Sequence, residues 1–346
     1  MKKFLFFIAV ALTACNSTEK KPEKLPFSEV EVQTLLEDSV SIRAIEIMGN
    51  NVAFAGSNGY YGLYNSEENR VKMNRQKYDS IYPEFRAVAS TSNDFFMLSV
   101  ANPALLYKTG ESGQMELVYK EENEKVFYDA MTFWNDKEGI AMGDPVDNCL
   151  SVIITRDGGN TWKKLSCEAL PEVEEGEAAF AASNSNIAVE GDNTWIISGG
   201  MRSRVFFSPD KGKSWKVFDT PIVQGKSTQG AYSMDFYNNE KGIIIGGDYT
   251  APEENKANKA ITNDGGITWQ LIAEGQEPGY KSSVRYVPGS DGEEVVAVGF
   301  TGINYSSDSG KTWEKISDEG FYTIRFLNDS VAYAAGKNRL AKLIFK

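Results

Sequence analysis

The chain contains no histidine among its 346 residues. Histidine is the usual general base near neutral pH and a common zinc ligand. Its absence excludes a Ser-His-Asp triad and a histidine-bound zinc ion. The sequence also has no glycine-rich phosphate-binding motif, neither GxGxxG after a strand nor GxxxxGKS/T. We therefore expect no cofactor and no metal, and we assign no catalytic residue.

Positive charge is scarce as well. The chain has 36 Lys and Arg against 48 Asp and Glu, which gives a formal net charge of −12. Such a surface repels a phosphate backbone, so we expect no nucleic-acid partner. The hydrophobic fraction of 41%, with 12% aromatic residues, is sufficient for a packed core.

Long apolar runs are lacking except at the N-terminus. Lys2 and Lys3 precede an apolar run at residues 4–12, which is too short to cross a bilayer and is typical of a secretory signal. The run leads into LTAC, which resembles the bacterial lipobox, with Cys15 as the lipidated residue. An ordinary signal peptide with an incidental cysteine is the alternative. We predict a signal peptide at 1–14, a lipidated cysteine with a flexible tether at 15–27, and the folded domain at 28–346.

This organisation predicts an exported protein that is held at the membrane by its lipid anchor alone. Asn16 after the lipid site favours the bacterial outer membrane, by resemblance to known sorting rules. Two further cysteines remain for an oxidising compartment. Cys149 and Cys167 lie nine residues on either side of Gly158, so a hairpin turn there would bring them close. The spacing allows a disulfide, whereas a one-residue change of register would put them on opposite faces.

One short motif occurs four times, with the pattern S/T-x-D-x-G-x-S/T-W. The copies, which we call boxes, are TRDGGNTW at 155–162, SPDKGKSW at 208–215, TNDGGITW at 262–269 and SSDSGKTW at 306–313. Glycine allows the positive φ of a tight turn, aspartate accepts hydrogen bonds from turn amides, and tryptophan packs onto the next strand. We assign this structural role to Asp157, Trp162, Asp210, Trp215, Asp264, Trp269, Asp308 and Trp313. A catalytic array of these carboxylates is disfavoured because the boxes of successive repeats would lie far apart in the fold.

The sequence around the boxes also repeats. Residues 42–56, 128–144, 232–248 and 322–336 share a strand, a short Asn/Asp/Gly turn and a second strand. Repeats that are spaced as these boxes are, with four short strands in each, are typical of propeller blades. We predict an all-β, seven-bladed β-propeller with four-stranded antiparallel blades. The last unit offers only three strands, so we expect the strand at 30–36 to complete it and close the ring.

The boxes resemble the Asp-box, or BNR, repeat of sialidase-like propellers, over roughly residues 41–346. The whole layout looks most like the photosystem II assembly and stability factor family. That resemblance implies a propeller, often lipid-anchored, that binds membrane-protein subunits during assembly and catalyses nothing. It also implies that the boxes lie on the face opposite the ligand face.

By the same resemblance, the ligand face is built from loops that lead into each first strand and loops that link second and third strands. These loops mix acidic, basic and aromatic groups, as a polar binding site requires. The candidate binding residues are Asp129, Asp144, Glu177, Arg202, Arg204, Gln229, Asp248, Tyr249, Tyr280 and Lys281.

The first functional hypothesis is a non-catalytic scaffold for an envelope or membrane protein. The alternative is a glycan-binding or glycan-hydrolysing protein of sialidase-like fold, because such chemistry needs only two carboxylates. This alternative predicts that one carboxylate, namely Glu177, Asp144 or Asp248, is indispensable for turnover. Sialidases carry an early Arg-Ile-Pro segment, whereas this chain has Arg86 within Phe-Arg-Ala, which disfavours sialidase activity.

Overall fold

The structure is a computed structural model that describes residues 25–110 and 113–346. Its regular elements are 28 strands and two short 3-10 helices, at Ser57–Gly59 and Cys167–Ala169. In chain order the strands are β1 (Val30–Met48), β2 (Asn51–Gly56), β3 (Tyr60–Asn65), β4 (Arg70–Arg75), β5 (Phe85–Ser90), β6 (Phe95–Ser99), β7 (Ala104–Thr109), β8 (Met115–Glu121), β9 (Tyr128–Asn135), β10 (Glu138–Gly143), β11 (Ser151–Thr155), β12 (Lys163–Lys164), β13 (Glu177–Ala178), β14 (Ile187–Glu190), β15 (Asn193–Ile197), β16 (Gly199–Gly200), β17 (Arg204–Ser208), β18 (Lys216–Asp219), β19 (Gln229–Phe236), β20 (Gly242–Asp248), β21 (Lys259–Thr262), β22 (Gln270–Leu271), β23 (Ser283–Tyr286), β24 (Val295–Gly299), β25 (Gly302–Ser306), β26 (Glu314–Ser317), β27 (Thr323–Phe326) and β28 (Val331–Phe345).

These strands form six hydrogen-bonded sheets with antiparallel neighbours. Four sheets have four strands, in the orders β5-β6-β7-β8, β12-β11-β10-β9, β14-β15-β17-β18 and β23-β24-β25-β26. Two sheets have six strands, in the orders β27-β28-β1-β2-β3-β4 and β13-β16-β19-β20-β21-β22. Their central strands are runs of buried β-branched residues, such as GIIIGGD in β20, which suit a strand covered on both faces.

The sheet count of six differs from the seven blades that the sequence predicted. The physical reason is that β1 is one continuous strand of 19 residues with two partners. Its first part pairs with β28, from Val30 opposite Phe345 to Ser41 opposite Lys337. Its second part pairs with β2, beginning with Ile42 opposite Gly56. One sheet therefore holds strands that the sequence assigned to the first and the last unit.

Seven strands contact one another in chain order, namely β1, β5, β9, β14, β19, β23 and β27, of which β1 and β27 belong to the same sheet. Hydrophobic clusters fill the spaces between neighbouring sheets. In one of them Ala44 and Ala53 of the first sheet pack against Val88 and Met97 of the next. This arrangement of four-stranded antiparallel blades is a β-propeller.

Each box is a turn closed by its own side chains. Asp157 accepts the backbone N–H of Thr161 on Oδ1 (2.9 Å) and the hydroxyl of Thr161 on Oδ2 (2.7 Å). The indole N–H of Trp162 donates to the carbonyl of Gly159 (3.2 Å). The same bonds recur around Asp210, Asp264 and Asp308. A Cβ on Gly159 would lie 2.2 Å from the Phe96 ring, so the turn needs glycine there.

The two ends of the propeller differ in what they carry. Since neighbouring strands run antiparallel, the turns between third and fourth strands share one end of the sheets with the turns between first and second strands. We call this the box end, because the four boxes lie on it. The opposite end, which we call the loop end, carries the loops that link second and third strands and those that lead into each first strand.

Residues 1–24, including Cys15 and most of the predicted tether, lie outside the described residues. Phe27 is buried against Tyr305 and Phe345, with ring centroids 5.0 and 5.1 Å apart. The backbone N–H of Ser28 donates to the carbonyl of Lys346 (2.8 Å). The first described residues are therefore packed against the last ones.

Two further features complete the fold. Cys149 and Cys167 form a disulfide with a Cα–Cα distance of 5.4 Å, which ties the segment before β11 to the helix after β12. Within 25–110 and 113–346, no helix combines the length and apolarity that crossing a bilayer requires.

Candidate functional site

A cavity of about 570 Å³ opens at the loop end, where the first strands begin. Known small-ligand sites span roughly 300–1,000 Å³, so its size fits a ligand or a short peptide segment. We call it the mouth cavity. Its lining consists of Arg43, Arg86, Phe127, Asp144, residues 178–182, Ser227, Tyr232, Tyr249, Tyr280, Phe300 and Tyr322.

Irregular strand pairing explains why several of these side chains meet. In β1, β5, β9 and β19, one residue is skipped close to where pairing with the following strand begins, which marks a β-bulge. The skipped residues are Arg43, Arg86, Asp129 and Tyr232. A bulge leaves its residue outside the regular pairing and changes the direction of its side chain. Three of the four bulged residues line the mouth cavity, and Asp129 lies buried next to Asp144 and Arg86.

Two arginines give the cavity a cationic wall. The guanidinium of Arg43 lies 4.1 Å from the centre of the Tyr322 ring, and Nη1 donates to the carbonyl of Ala182 (3.5 Å). Burial, and then repulsion from Arg86, lowers the pKa of Arg43, so this site favours a compensating anion. Arg86 Nε lies 3.5 Å from a carboxylate oxygen of Glu84. Guanidinium groups are well suited to bind carboxylates because their N–H donors match the two oxygens.

Aromatic rings form the remaining wall. Phe180 stacks on Tyr232 with centroids 3.9 Å apart and planes 6° from parallel. Tyr280 meets Tyr232 edge-on at 4.8 Å and contacts Phe300 at 5.4 Å. Phe300 and Tyr249 are 46% and 47% exposed, although large apolar groups are normally covered. Exposed rings beside a cavity are characteristic of surfaces that bind other molecules.

Residues 183–186, which we call the plug, directly follow the cavity wall at 178–182 and are tied to several sheets. Asn184, with a positive φ of 56°, donates from Nδ2 to the carbonyl of Val88 (2.8 Å) and accepts the backbone N–H of Met131 on Oδ1 (2.9 Å). Arg325 Nη2 donates to the backbone carbonyl of Asn184 (2.9 Å). These contacts join the plug to β5, β9 and β27, three strands from different sheets. The plug therefore holds the adjoining cavity wall at 178–182 in a defined position.

Of the ten residues predicted from sequence, Asp144, Tyr249 and Tyr280 line the mouth cavity. Asp144 accepts the backbone N–H of Ala179 (2.7 Å), and burial raises its pKa. Glu177 and Arg204 are not part of the lining but form an internal ion pair. Arg204 Nε donates to Glu177 Oε1 (3.0 Å), and Glu177 also accepts the hydroxyl of Ser198.

Four further predicted residues, Lys281, Asp248, Gln229 and Arg202, lie outside the lining of the mouth cavity. Lys281 is buried and donates to Thr301 Oγ1 (2.9 Å) and to a backbone carbonyl, and burial lowers its pKa to about 8. Asp248 accepts the hydroxyl of Thr250 (2.6 Å) and pairs through its backbone with Gln229. Arg202 forms an exposed ion pair with Asp219 (2.7 Å) away from the cavity, where it is 43% exposed.

Asp129 is fully buried, and neither of its carboxylate oxygens accepts a hydrogen bond from the described part of the chain. The backbone N–H of Asp144 acts favourably on this carboxylate, but its own hydrogen bond goes to the carbonyl of Phe127 (2.8 Å). Burial, and then repulsion from Asp144, raises the pKa of Asp129 well above its usual range. Such a group favours the neutral acid.

Sequence reasoning missed Arg43, Arg86 and the aromatic wall. One signal was present: the triplets Ile42-Arg-Ala44 and Phe85-Arg-Ala87 both consist of an apolar residue, arginine and alanine at the start of consecutive units. Aligning these triplets would have placed the two arginines at equivalent positions. The plug carries no comparable signal, because the contacts of Asn184 that position it are with strands distant in the chain.

Comparison with known proteins identifies the fold. No protein-family model matches the chain, and no curated protein matches it. The structure of YCF48 bound to a D1 peptide is similar, with a TM-score of 0.67 and 14% identity over 93% of this chain and 98% of that one. The WD40 repeats of RRP9 match with a TM-score of 0.62 and 13% identity over 93% and 99%. The WD40 propeller domain of Doa1 matches with a TM-score of 0.60 and 10% identity over 92% and 97%. At such identities the likeness establishes the β-propeller fold alone.

Proposed function

We propose that this protein is a non-catalytic scaffold that holds a segment of a partner protein in its mouth cavity. The observation that carries the proposal is the meeting of two bulged arginines with a wall of aromatic rings in an open cavity. YCF48, whose structure was solved with a D1 peptide, has a similar fold. This likeness supports peptide binding as the use of the cavity.

The lining defines the chemistry of the proposed segment. Arg43 and Arg86 suit a carboxylate, and the rings of Phe180 and Phe300 suit an apolar side chain next to it. Burial already disfavours the charge on Arg43, so an arriving anion gains more there than it would at the surface. We therefore propose a segment that carries an acidic group beside an apolar one.

The carboxylates suggested for glycan hydrolysis are placed differently from what that reaction needs. Asp144 lines the mouth cavity, but Glu177 is held by Arg204 and Asp248 by Thr250. Hydrolysis requires two carboxyl groups that face the same bond. This arrangement favours binding over glycan turnover.

We further propose that the protein is an envelope lipoprotein, exported by the signal at 1–14 and anchored through Cys15 in the outer membrane. The support is the lipobox-like sequence LTAC. A Cys15→Ser variant should lose fatty-acid labelling and leave the membrane fraction. If the variant stays in the membrane fraction and still incorporates fatty acid, the anchor lies elsewhere.

We also propose that the six-stranded sheet of β27, β28 and β1 to β4 represents two blades that share β1, which would make seven Asp-box-type blades. Two separate pairings along β1 support this proposal, with β28 first and with β2 afterwards. In the proposed ring, the strand at 30–36 joins the two ends of the chain.

Site-specific cross-linking tests the binding proposal. A photoreactive phenylalanine analogue at Phe300, in the intact envelope, should give an adduct with a partner protein. The same analogue at Ile267, which is 53% exposed at the box end, should give none. Arg86→Glu should reduce the adduct by roughly tenfold or more, because it reverses a charge in the cavity.

Arg202→Glu is the matched control, since it makes the same charge change outside the cavity. It should leave the adduct at Phe300 unchanged. Equal adducts from positions 300 and 267, or an adduct that survives Arg86→Glu, would contradict a binding role for the mouth cavity.

A further inference from the structure

The boxes do more than close turns, because their tryptophans fill the grooves between sheets at the box end. Trp162 lies 6.4 Å from Phe96 of the preceding sheet and 5.8 Å from Phe133 of its own sheet, measured between ring centroids. Trp215, Trp269 and Trp313 pack in the same way into the clusters formed with their preceding sheets. Four grooves between sheets are thus occupied by an indole from within the chain.

The sheet β5-β6-β7-β8 lacks this tryptophan. Its turn between β7 and β8 is one residue shorter than a box, and Thr109 pairs with Met115 beside the turn. In the sheet β12-β11-β10-β9, Ile154 pairs with Lys163, which places Thr155 opposite Trp162. Met115 therefore occupies the strand position that tryptophan occupies in the boxes.

A groove of about 930 Å³ lies at this position, between the sheets β5 to β8 and β1 to β4. Its wall includes Met48, Leu63 and Met115, and the buried side chains of Ala53 and Phe95 form its base. The groove is continuous with the hydrophobic interface between the two sheets, to which all five residues belong. A ligand in the groove would extend an interface that the fold already forms.

The rim of the groove is polar. Asn51, Asn74, Ser92 and Asn93 supply amide and hydroxyl groups around the apolar base. An apolar base with a few polar groups is the usual composition of a specific binding site, because the polar groups orient what the base attracts. An indole fits both parts, since it has a large apolar face and one N–H donor.

We propose that this groove is a second binding site, which takes a tryptophan side chain presented by a partner protein. The occupant would take the position that the chain's own tryptophans take in four other grooves. The site lies at the end of the propeller opposite the mouth cavity, so it is independent of the ligand proposed there.

Methionine methyl NMR on the full chain provides the test, with N-acetyl-tryptophanamide as the probe. Met48, Met73 and Met115 line the groove, whereas Met201 is 49% exposed at the loop end and serves as the internal control. Millimolar probe should shift the three groove signals and leave Met201 unchanged. N-acetyl-leucinamide should bind at least about tenfold more weakly.

Met115→Trp supplies the missing indole from within and should abolish the shifts of Met48 and Met73. Leu63→Trp fills the groove from the opposite wall and gives the same test if the first variant does not fold. Arg86→Glu should leave the shifts intact, which separates this site from the mouth cavity. The proposal is overturned if the probe shifts no groove signal, shifts Met201 equally, or binds a correctly folded groove-filled variant as well as the unchanged protein.

Discussion

At the box end, each of four aspartates accepts hydrogen bonds on both carboxylate oxygens, whereas at the loop end the buried carboxylate of Asp129 accepts none from the described residues. The first set of carboxylates has lowered pKa values, and Asp129 has a raised one. The four aspartates at the box end therefore stabilise the fold as carboxylates. At the loop end, the charged form of Asp129 is disfavoured in the fold.

This difference supports the mouth cavity as the proposed binding site. Polar and charged groups that lack hydrogen-bond partners in the free protein persist where function needs them. Such groups concentrate at binding and catalytic sites. The four boxes at the box end repeat one satisfied arrangement, which stabilises the scaffold. The loop end collects bulged, buried and partly exposed groups around one cavity.

Among substitutions that test this difference between the two ends, removing a box tryptophan should cause the largest loss of stability. Trp162→Ala deletes a side chain that is 8% exposed and packed between two sheets, so it should lower the free energy of unfolding by about 3–5 kcal/mol. Urea unfolding measures this loss. Met115→Ala, at the equivalent position without the indole, should cost less than about 2 kcal/mol. Equal losses would show that the box tryptophans are not the packing elements described above.

Asp210→Asn should cause a smaller loss of stability, and the size of this loss should depend on pH. Burial alone would raise the pKa of Asp210, but hydrogen bonds from Ser214, Ser208 and Lys213 outweigh it and lower the pKa. The stabilisation is therefore present above the unfolded pKa of about 3.9 and is lost as pH falls through the lower folded value. The variant should be about 1–3 kcal/mol less stable near neutral pH. A difference that stayed constant down to about pH 2 would contradict this origin.

The smallest change in stability should come from Asp129→Asn, and it should be a gain rather than a loss. Because burial raises the pKa of Asp129, its ionisation opposes folding as pH rises above the unfolded value of about 3.9. Asp129→Asn removes that penalty and should raise stability near neutral pH by about 1 kcal/mol, with no gain below about pH 3. Thermal unfolding at several pH values measures the difference. A variant less stable than the unchanged protein at neutral pH would mean that Asp129 is charged and paired in the fold.

The sequence predicted the parts of the structure that depend on local patterns. The boxes form the expected turns, because aspartate, glycine and tryptophan at fixed spacing act within eight residues. The all-β propeller with four-stranded blades followed from the repeated strand and turn pattern. The number of sheets did not follow, because the sequence does not show that β1 continues through two pairings.

The mouth cavity was only partly predictable, for a physical reason that lies in the bulges. β9 has one bulge at Asp129 and a register shift near its other end, whereas β19 has one bulge at Tyr232. Aligning the two strands by sequence therefore shifts them by one residue, and a shift of one residue moves a side chain to the other face. The plug could not be predicted either, since the partners of Asn184 lie on strands far away in the chain.

The pairing of β1 with β28 also affects how the protein is made. Val30 and Phe345 stand opposite each other although they lie near the two ends of the chain. A nascent chain cannot complete this sheet before its last strand has been synthesised, and contacts between such distant segments slow folding. The edge of β1 from Val30 onward stays open until then. A truncation within β28 would therefore leave that edge of β1 without its hydrogen-bonding partner.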